Sequence, residues 1–271
     1  MPNLDEARPA VGDTPQPPPR KNRMHAIRWV PEGARSLLDV GCNEGALLGY
    51  CREVYPGLAL AGVEVNPAAL AAARVRVPDA ELVAGGVEAL PFADGSFDCV
   101  TCIEVLEHVP AGLRAKALSE MRRVLRPGGR LVLRVPHAGL FAWLDPDNFR
   151  FRLPGLYRKL IGAGRKDAGY ARQSDDVVWH HHFTRAELLE LAGDGWDVEA
   201  VRGGALLLLP LATIGAWPFY RARRFDNPVL RGLLRLSEFD LGFDYGAASY
   251  DVLLVARKRA AGGGGGSSEP P

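Results

Sequence analysis

The stretch Leu37-Leu38-Asp39-Val40-Gly41-Cys42-Asn43-Glu44-Gly45 limits what this chain can fold into more than any other. An apolar run leads into a turn bracketed by glycine and then into a helical pattern. It reads as a buried strand, a tight turn and a helix. Glycine at both ends admits positive φ and lets backbone approach a ligand at the carboxyl edge of a sheet. The alternation then continues. Residues 36–40, 58–65, 81–84, 97–103 and 130–135 read as strands, with helices at 46–54, 67–75 and 113–125 between them. Pro67 suits a helix start, where its missing N–H is not needed, and Pro127-Gly128-Gly129 is expected to stop the third helix. Strands alternating with helices through short loops imply an α/β fold, a doubly wound, mostly parallel sheet covered on both faces.

The second half is less regular. Thr184 with Glu187 three residues on forms a capping-box pattern, so a helix is expected over 184–192. Residues 196–201 and 249–255 read as two more strands, making seven. Two insertions interrupt them, at about 138–182 and 203–247. Residues 1–20, with Pro15, Pro17, Pro18 and Pro19, read as a disordered leader, and 260–271 as a flexible glycine-rich tail. One domain over 21–259 accounts for the rest, and 47% hydrophobic residues suffice for its core.

Several function classes fall away. With 33 basic against 32 acidic residues there is no electrostatic reason to expect a nucleic-acid partner. Four scattered cysteines imply no disulfide framework, and Cys99 and Cys102, inside an apolar run, read as buried structural thiols. No secretory signal is visible in residues 1–20, and a cytoplasmic location is expected. The longest apolar run, 205–219, is broken by Pro210 and Pro218 and falls short of the ~20 residues of a membrane span. It suits peripheral contact with a membrane surface.

The glycine turn has spacing G-x-x-x-G, without the middle glycine of the G-x-G-x-x-G pyrophosphate fingerprint. Asp39 and Glu44 flank it, and a carboxylate at the helix start competes with a pyrophosphate for the same N–H groups. A ligand carrying a sulfonium and an ammonium tolerates both carboxylates. Glu64 ends the second strand, where an acid can accept both ribose hydroxyls of an adenosine.

Taken in order, LLDVGCNEG, Glu64 in GVEVN, VEALPFADGSFDCV, EVLEHV and LRPGGRLV resemble motifs I to III of class I S-adenosylmethionine-dependent methyltransferases, of the type 11 and ubiquinone-pathway O-methyltransferase kind, over about residues 37–135. The resemblance implies a Rossmann-like sheet of order 3-2-1-4-5-7-6 with the last strand antiparallel. It implies that Asp39, Gly41 and Gly45 line the methionine part of the donor, with Cys42, Asn43 and Val65 in the same set. Glu64 would hold the ribose, Val87 and Glu88 would lie beside the adenine, and Ile103 would flank the methionine end. One position departs: many relatives have aspartate where this chain has Gly86, which leaves the adenine amino group to backbone or to Glu88.

Glu104, Glu107 and His108 in EVLEHV share one face if they form a helical turn, and such a set can bind a divalent cation that orients an acceptor hydroxyl. Hydrogen bonding and helix capping are the alternative use. The motif also resembles metal-binding residues of ubiquinone-pathway O-methyltransferases and of small-RNA 2′-O-methyltransferases, which add a downstream histidine; here Trp179-His180-His181-His182-Phe183-Thr184 stands in a comparable place. His137, at the end of the fifth strand, suits removal of a hydroxyl proton. His108 and His181 are further candidates. The first insertion brings Trp143, Asp145, Asp147, Asn148, Arg150, Arg152, Tyr157 and Arg158, a mix suited to polar or anionic groups. The second brings LLLLPLATIGAWPFY and Arg221, Arg223 and Arg224, suited to capping an apolar acceptor. The expected activity is O-methylation of a small-molecule acceptor, lipid-linked or sugar-like. An RNA ribose as acceptor is disfavoured by balanced charge, and a non-catalytic donor-binding scaffold would need neither Glu64 nor the histidines.

Overall fold

Leu37, Leu38 and Val40 have no exposed surface because their strand lies at the centre of a seven-stranded sheet. The computed structural model describes residues 25–145, 148, 180–222, 224 and 226–260. The leader, nearly all of the tail, Arg223 and much of the first insertion, including Asp147, Arg150, Arg152, Tyr157, Arg158 and Trp179, lie outside the described residues.

The strands are β1 (Ser36–Val40), β2 (Ala59–Glu64), β3 (Glu81–Ala84), β4 (Phe97–Ile103), β5 (Leu125–Pro136), β6 (Trp196–Gly204) and β7 (Asp251–Lys258). Their order is β3-β2-β1-β4-β5-β7-β6, as expected, with β1 to β5 parallel and β7 antiparallel to both β5 and β6. Alternation along each strand splits the core in two. Leu38, Val40, Val100 and Leu133 pack with Leu118 and Met121 of α3 (Ala111–Val124) and with Leu188 of α4 (Arg185–Ala192). Leu37, Cys99 and Val132 pack on the other face with α1 (Ala46–Val54), α2 (Pro67–Arg76) and a 3-10 turn, His25–Trp29. All four cysteines are buried and free, and burial pushes the Cys99 thiol up to about 12.

Two local expectations need correction. Pro127-Gly128-Gly129 does not stop a helix; α3 ends at Val124 and the triplet lies inside β5. The pairing jumps from Phe97↔Leu125 to Cys99↔Arg130 there, and Gly128 takes φ 76°, so the glycine makes a bulge. The second insertion forms two helices, α5 (Leu208–Arg221) and α6 (Pro228–Leu241), where one apolar segment stood out in the sequence. Asn227 caps α6 by accepting from Val229 N at 2.8 Å, with Pro228 at the first turn. Buried Asp240 near the end of α6 accepts from Leu206 N at 2.9 Å and Leu209 N at 3.0 Å. One carboxylate thereby ties both helices together. The pair leaves from Gly204, which is aligned with Asp251 and through it with Pro136 at the end of β5. It therefore projects from the carboxyl edge, the same edge as the glycine turn after β1.

Candidate active site

The glycine turn is built as its residues dictate. Gly41 and Gly45 take φ 75° and 73°, and Asn43 between them takes φ 48°. A β-carbon on Gly41 would lie 2.4 Å from Val105 Cγ2, so the close approach of the β4 exit loop requires glycine there. Gly41 and Cys42 donate their N–H groups to Val63 O at 2.8 and 3.0 Å, which ties the turn to β2. Asp39 is buried and accepts from Thr101 Oγ1 at 2.8 Å. Glu64 accepts from Asn43 N at 3.0 Å and Asn66 N at 2.8 Å, so its carboxylate closes the cleft between the turn and α2. Val65 is partly buried beside it, while Val87 and Ile103 are buried. At Gly86 a β-carbon would stand 2.5 and 2.6 Å from the two carboxylate oxygens of Glu88. Glu88 thus fills the space that a side chain at position 86 would take.

On the far side of β4 the chain turns sharply. Glu104 adopts φ 57° and donates its N–H to Arg134 O at 3.0 Å, and Leu106–His108 form a 3-10 turn. The left-handed residue breaks the one-face geometry expected of EVLEHV. Glu104 Oε1 lies 3.7 Å from Arg134 Nε. Burial, with Asp251 and Glu107 nearby, pushes the Glu104 carboxyl up to about 8, against the pull of Arg134 and His180. The set whose ligand atoms converge is Glu107, His108 and His180, with Asp145, His180 and His182 as a second group sharing His180. Glu104 is in neither.

Fully buried Glu107 has His180 Nε2 at 3.5 Å and His108 Nε2 at 3.9 Å from Oε1, and neither of its oxygens has a hydrogen-bond partner among the described residues. The other nitrogen of His180, Nδ1, lies 2.5 Å from Asp145 Oδ2, and His182 Nε2 lies 3.2 Å from the same oxygen. Asn148 holds the His180 backbone from both sides, at 2.8 and 3.0 Å. Burial pulls the His180 imidazole down, but Asp145 and Glu107 more than offset it and push it up to about 11. Buried carboxylates around imidazoles with oxygens to spare are the donor chemistry of a divalent cation or of a trapped imidazolium.

Among the proposed bases, His137 is buried with Nδ1 2.9 Å from Ser249 O. A carbonyl only accepts, so Nδ1 carries a proton and acts as the donor. His181 instead reaches Glu187 Oε1 at 2.7 Å and packs on Phe183, away from the His180 cluster. His108 is half exposed, 4.8 Å from the His180 ring. Sequence reasoning missed the buried ion pair of Arg134 with Asp251, which links β5 to β7 behind Glu104. Its one signal was an arginine in an otherwise apolar strand pattern, RLVLRV. Burial pulls the Arg134 guanidinium down, and Asp251 and Glu104 more than compensate, so it stays charged.

Comparison with known proteins places this geometry. Residues 38–133 match the family model described as a methyltransferase domain. A ubiquinone biosynthesis O-methyltransferase of Pseudomonas paraeruginosa is 34% identical over 167 residues, 53% of this chain and 69% of that protein. An uncharacterised 37.1 kDa protein in transposon TN4556 of Streptomyces fradiae is 42% identical over 171 residues, 61% of this chain. The chain spans less than half, 44%, of that second relative's length. Among solved structures, the complex between the Haloferax volcanii Trm112 methyltransferase activator and a putative methyltransferase contains a chain superposing with a TM-score of 0.58 at 18% identity, over 89% of this chain and 91% of that one.

Proposed function

We propose that this chain, which belongs to the class I S-adenosylmethionine-dependent methyltransferases, moves the donor's methyl group to a hydroxyl oxygen of a small-molecule acceptor, lipid-linked or sugar-like. The observation that carries the reading is the meeting at one sheet edge of the glycine turn with Glu64 and the buried Glu107–His180–Asp145 cluster. A carboxylate offers about four lone-pair positions, so Glu64 can accept the two ribose hydroxyls beside its bonds to Asn43 and Asn66. Asp39 and the turn residues Gly41, Cys42, Asn43 and Gly45 face the methionine part, Ile103 flanks it, and Val65, Val87 and Glu88 line the adenosine. In the reaction the acceptor oxygen attacks the methyl carbon in line. The carbon–sulfur bond breaks, its electron pair returns to sulfur, and the hydroxyl proton passes to a base. His137, whose Nδ1 is held by Ser249 O and whose Nε2 is left for the acceptor, is that base, and most of the rate comes from positioning. His181, bound to Glu187, supports the fold of the cluster.

Glu107, His108 and His180 fit a divalent cation, with Asp145 fixing the His180 ring through Nδ1. Such an ion supplies Lewis-acid polarisation of an acceptor hydroxyl when bound. Activity is then expected to fall in chelator and return with a divalent cation, and His108→Ala to lose both responses; indifference to chelator rejects the ion. The α5–α6 pair would cap the acceptor and touch a membrane surface peripherally with its exposed apolar residues, from a cytoplasmic location; no described helix is long and apolar enough to cross a membrane.

Calorimetry with S-adenosylmethionine on the wild type and Glu64→Ala tests the donor site. We expect at least a tenfold weaker donor in a folded variant, from loss of charge-assisted bonds to the ribose. Radiolabelled methyl turnover against prenylated phenols, sugars and short RNAs tests the acceptor. Unchanged affinity in Glu64→Ala removes the donor assignment, and transfer to RNA alone removes the acceptor class.

A further inference from the structure

A cleft of about 100 Å3 opens between the turn His25–Trp29, the carboxyl ends of β5 and β6, the start of β7, and the end of α6. Its walls carry Arg28, Arg134 and Arg202 against Asp244 and Asp251. Both carboxylates already have a guanidinium of their own: Asp251 pairs with Arg134, and Asp244 with Arg185 at 2.7 Å. Arg202 does not share in this neutralisation. Its guanidinium is exposed, makes no hydrogen bond or ion pair with the described residues, and lies over the Trp29 ring at 5.8 Å from the centroid. The aromatic face holds the fork in place without satisfying its five N–H donors. Arg202 therefore offers the cleft a preorganised donor that no described residue takes up.

Its position gives this charge a use. Arg134 reaches from the cleft to Glu104, the residue that follows Ile103 at the donor edge. A ligand in the cleft would thus lie beside the proposed methyl-transfer point and on the opposite side of β5 from the His137 face. We propose that this cleft binds a phosphate or diphosphate group of the acceptor, with Arg202 as the specificity-determining contact and Arg28 beside it. A guanidinium presents paired N–H groups to paired oxygens, and a doubly charged phosphate gains from each cation in the wall where a carboxylate gains half as much. The inference rests on the methyltransferase reading for its purpose, but its binding test does not.

The full chain is titrated with inorganic pyrophosphate, following tryptophan fluorescence, in the wild type, Arg202→Ala, Arg202→Lys and Trp29→Phe, with S-adenosylmethionine affinity measured in parallel. Saturable quenching is expected in the wild type, lost in Trp29→Phe. Arg202→Ala should weaken pyrophosphate at least tenfold and Arg202→Lys should restore part of it, with donor affinity unchanged in both. A second arm replaces pyrophosphate with phosphatidylglycerol vesicles. Competition between the two places a lipid headgroup in the cleft, whereas vesicle-independent pyrophosphate binding assigns it to a free phosphorylated acceptor. Equal affinity of the wild type and Arg202→Ala overturns the proposal, as does acetate competing as well as pyrophosphate. Parallel loss of S-adenosylmethionine in Arg202→Ala overturns it too, because the cleft would then hold the donor's own carboxylate. Failure of the wild type to bind S-adenosylmethionine, with pyrophosphate binding intact, would sink the methyltransferase reading and leave the anion site standing.

Discussion

Gly86 stands where the resemblance to class I methyltransferases leads one to expect aspartate, and the Glu88 carboxylate lies 2.5 Å from where a β-carbon on it would be. On the proposed reading, Glu88 would then supply the acid from two positions further along the chain. Glu88→Ala should therefore weaken S-adenosylmethionine by about tenfold, the worth of one charge-assisted hydrogen bond. Gly86→Asp alone should do no better, since its side chain would collide with Glu88 and set two like charges together. The double change Gly86→Asp with Glu88→Ala should recover most of the affinity. Calorimetry on the three variants decides it, and a double variant as weak as Glu88→Ala would mean that position 86 does not face the adenine. At this scale the donor turn was legible because each glycine answers to backbone geometry. Glu88 was named there as one of two alternatives, but its approach to position 86 was not legible, because a sequence carries no side-chain direction.

Elements were legible where period and punctuation agreed. All seven strand positions and the capped helix at Thr184 follow from apolar runs bounded by turn residues, and the capping box forms with Glu187 N to Thr184 Oγ1 at 3.1 Å. The bulge in β5 was read as a helix stop because the same Pro-Gly-Gly signal serves both uses. The helix pair was half seen: α5 is apolar enough to stand out, while α6 alternates and is recognisable mainly by its cap. The structure leaves Val229, Leu236 and Phe239 of α6 and the following Phe243 exposed at helical spacing, and Leu211 and Ile214 of α5 are exposed as well. At roughly 25 cal/mol per Å2, covering Leu236, Phe239 and Phe243 contributes a few kcal/mol. Replacing these three with serine should lower vesicle binding or use of a lipid-like acceptor at least tenfold, leaving donor affinity and Tm unchanged. Equal loss of donor binding would make the pair ordinary support for the fold. Asp240→Ala, by contrast, should cost stability, because it frees the amides of Leu206 and Leu209 inside the helix junction.

For the whole molecule, the strands are clamped at the amino edge, opposite the site, by two carboxylates that no local pattern announced. Asp98 accepts from Arg35 N at 2.9 Å, from Ser36 N and Oγ at 3.1 Å each, and from Arg126 at 2.5 Å, joining the starts of β1, β4 and β5. Glu199 meets Arg130 at 2.7 Å and Arg257 at 2.6 Å, joining β6, β5 and β7. Partial burial pushes both carboxyls up, yet the hydrogen bonds and guanidiniums outweigh it and hold both below the usual carboxylate range. A depressed folded-state pKa means that the unfolded chain takes up protons first as pH falls. The stabilisation is present above the unfolded values of about 3.9 and 4.3 and is lost as pH drops through the lower folded values. Each clamp is about a quarter exposed, so about 1 kcal/mol apiece is the scale after screening. The double variant Asp98→Asn with Glu199→Gln should then melt several degrees below the wild type at pH 7, at roughly 2–4 °C per kcal/mol for a chain of this size. That gap should begin to narrow below about pH 4.5, where the unfolded chain starts to take up protons, and close only once pH has fallen through the lower folded values. Other acid-labile groups act equally on both proteins, so the difference between two melting curves isolates the clamps. A gap that stays constant from pH 7 to pH 3 would show that these side chains stabilise the sheet edge by packing and neutral hydrogen bonding rather than by charge.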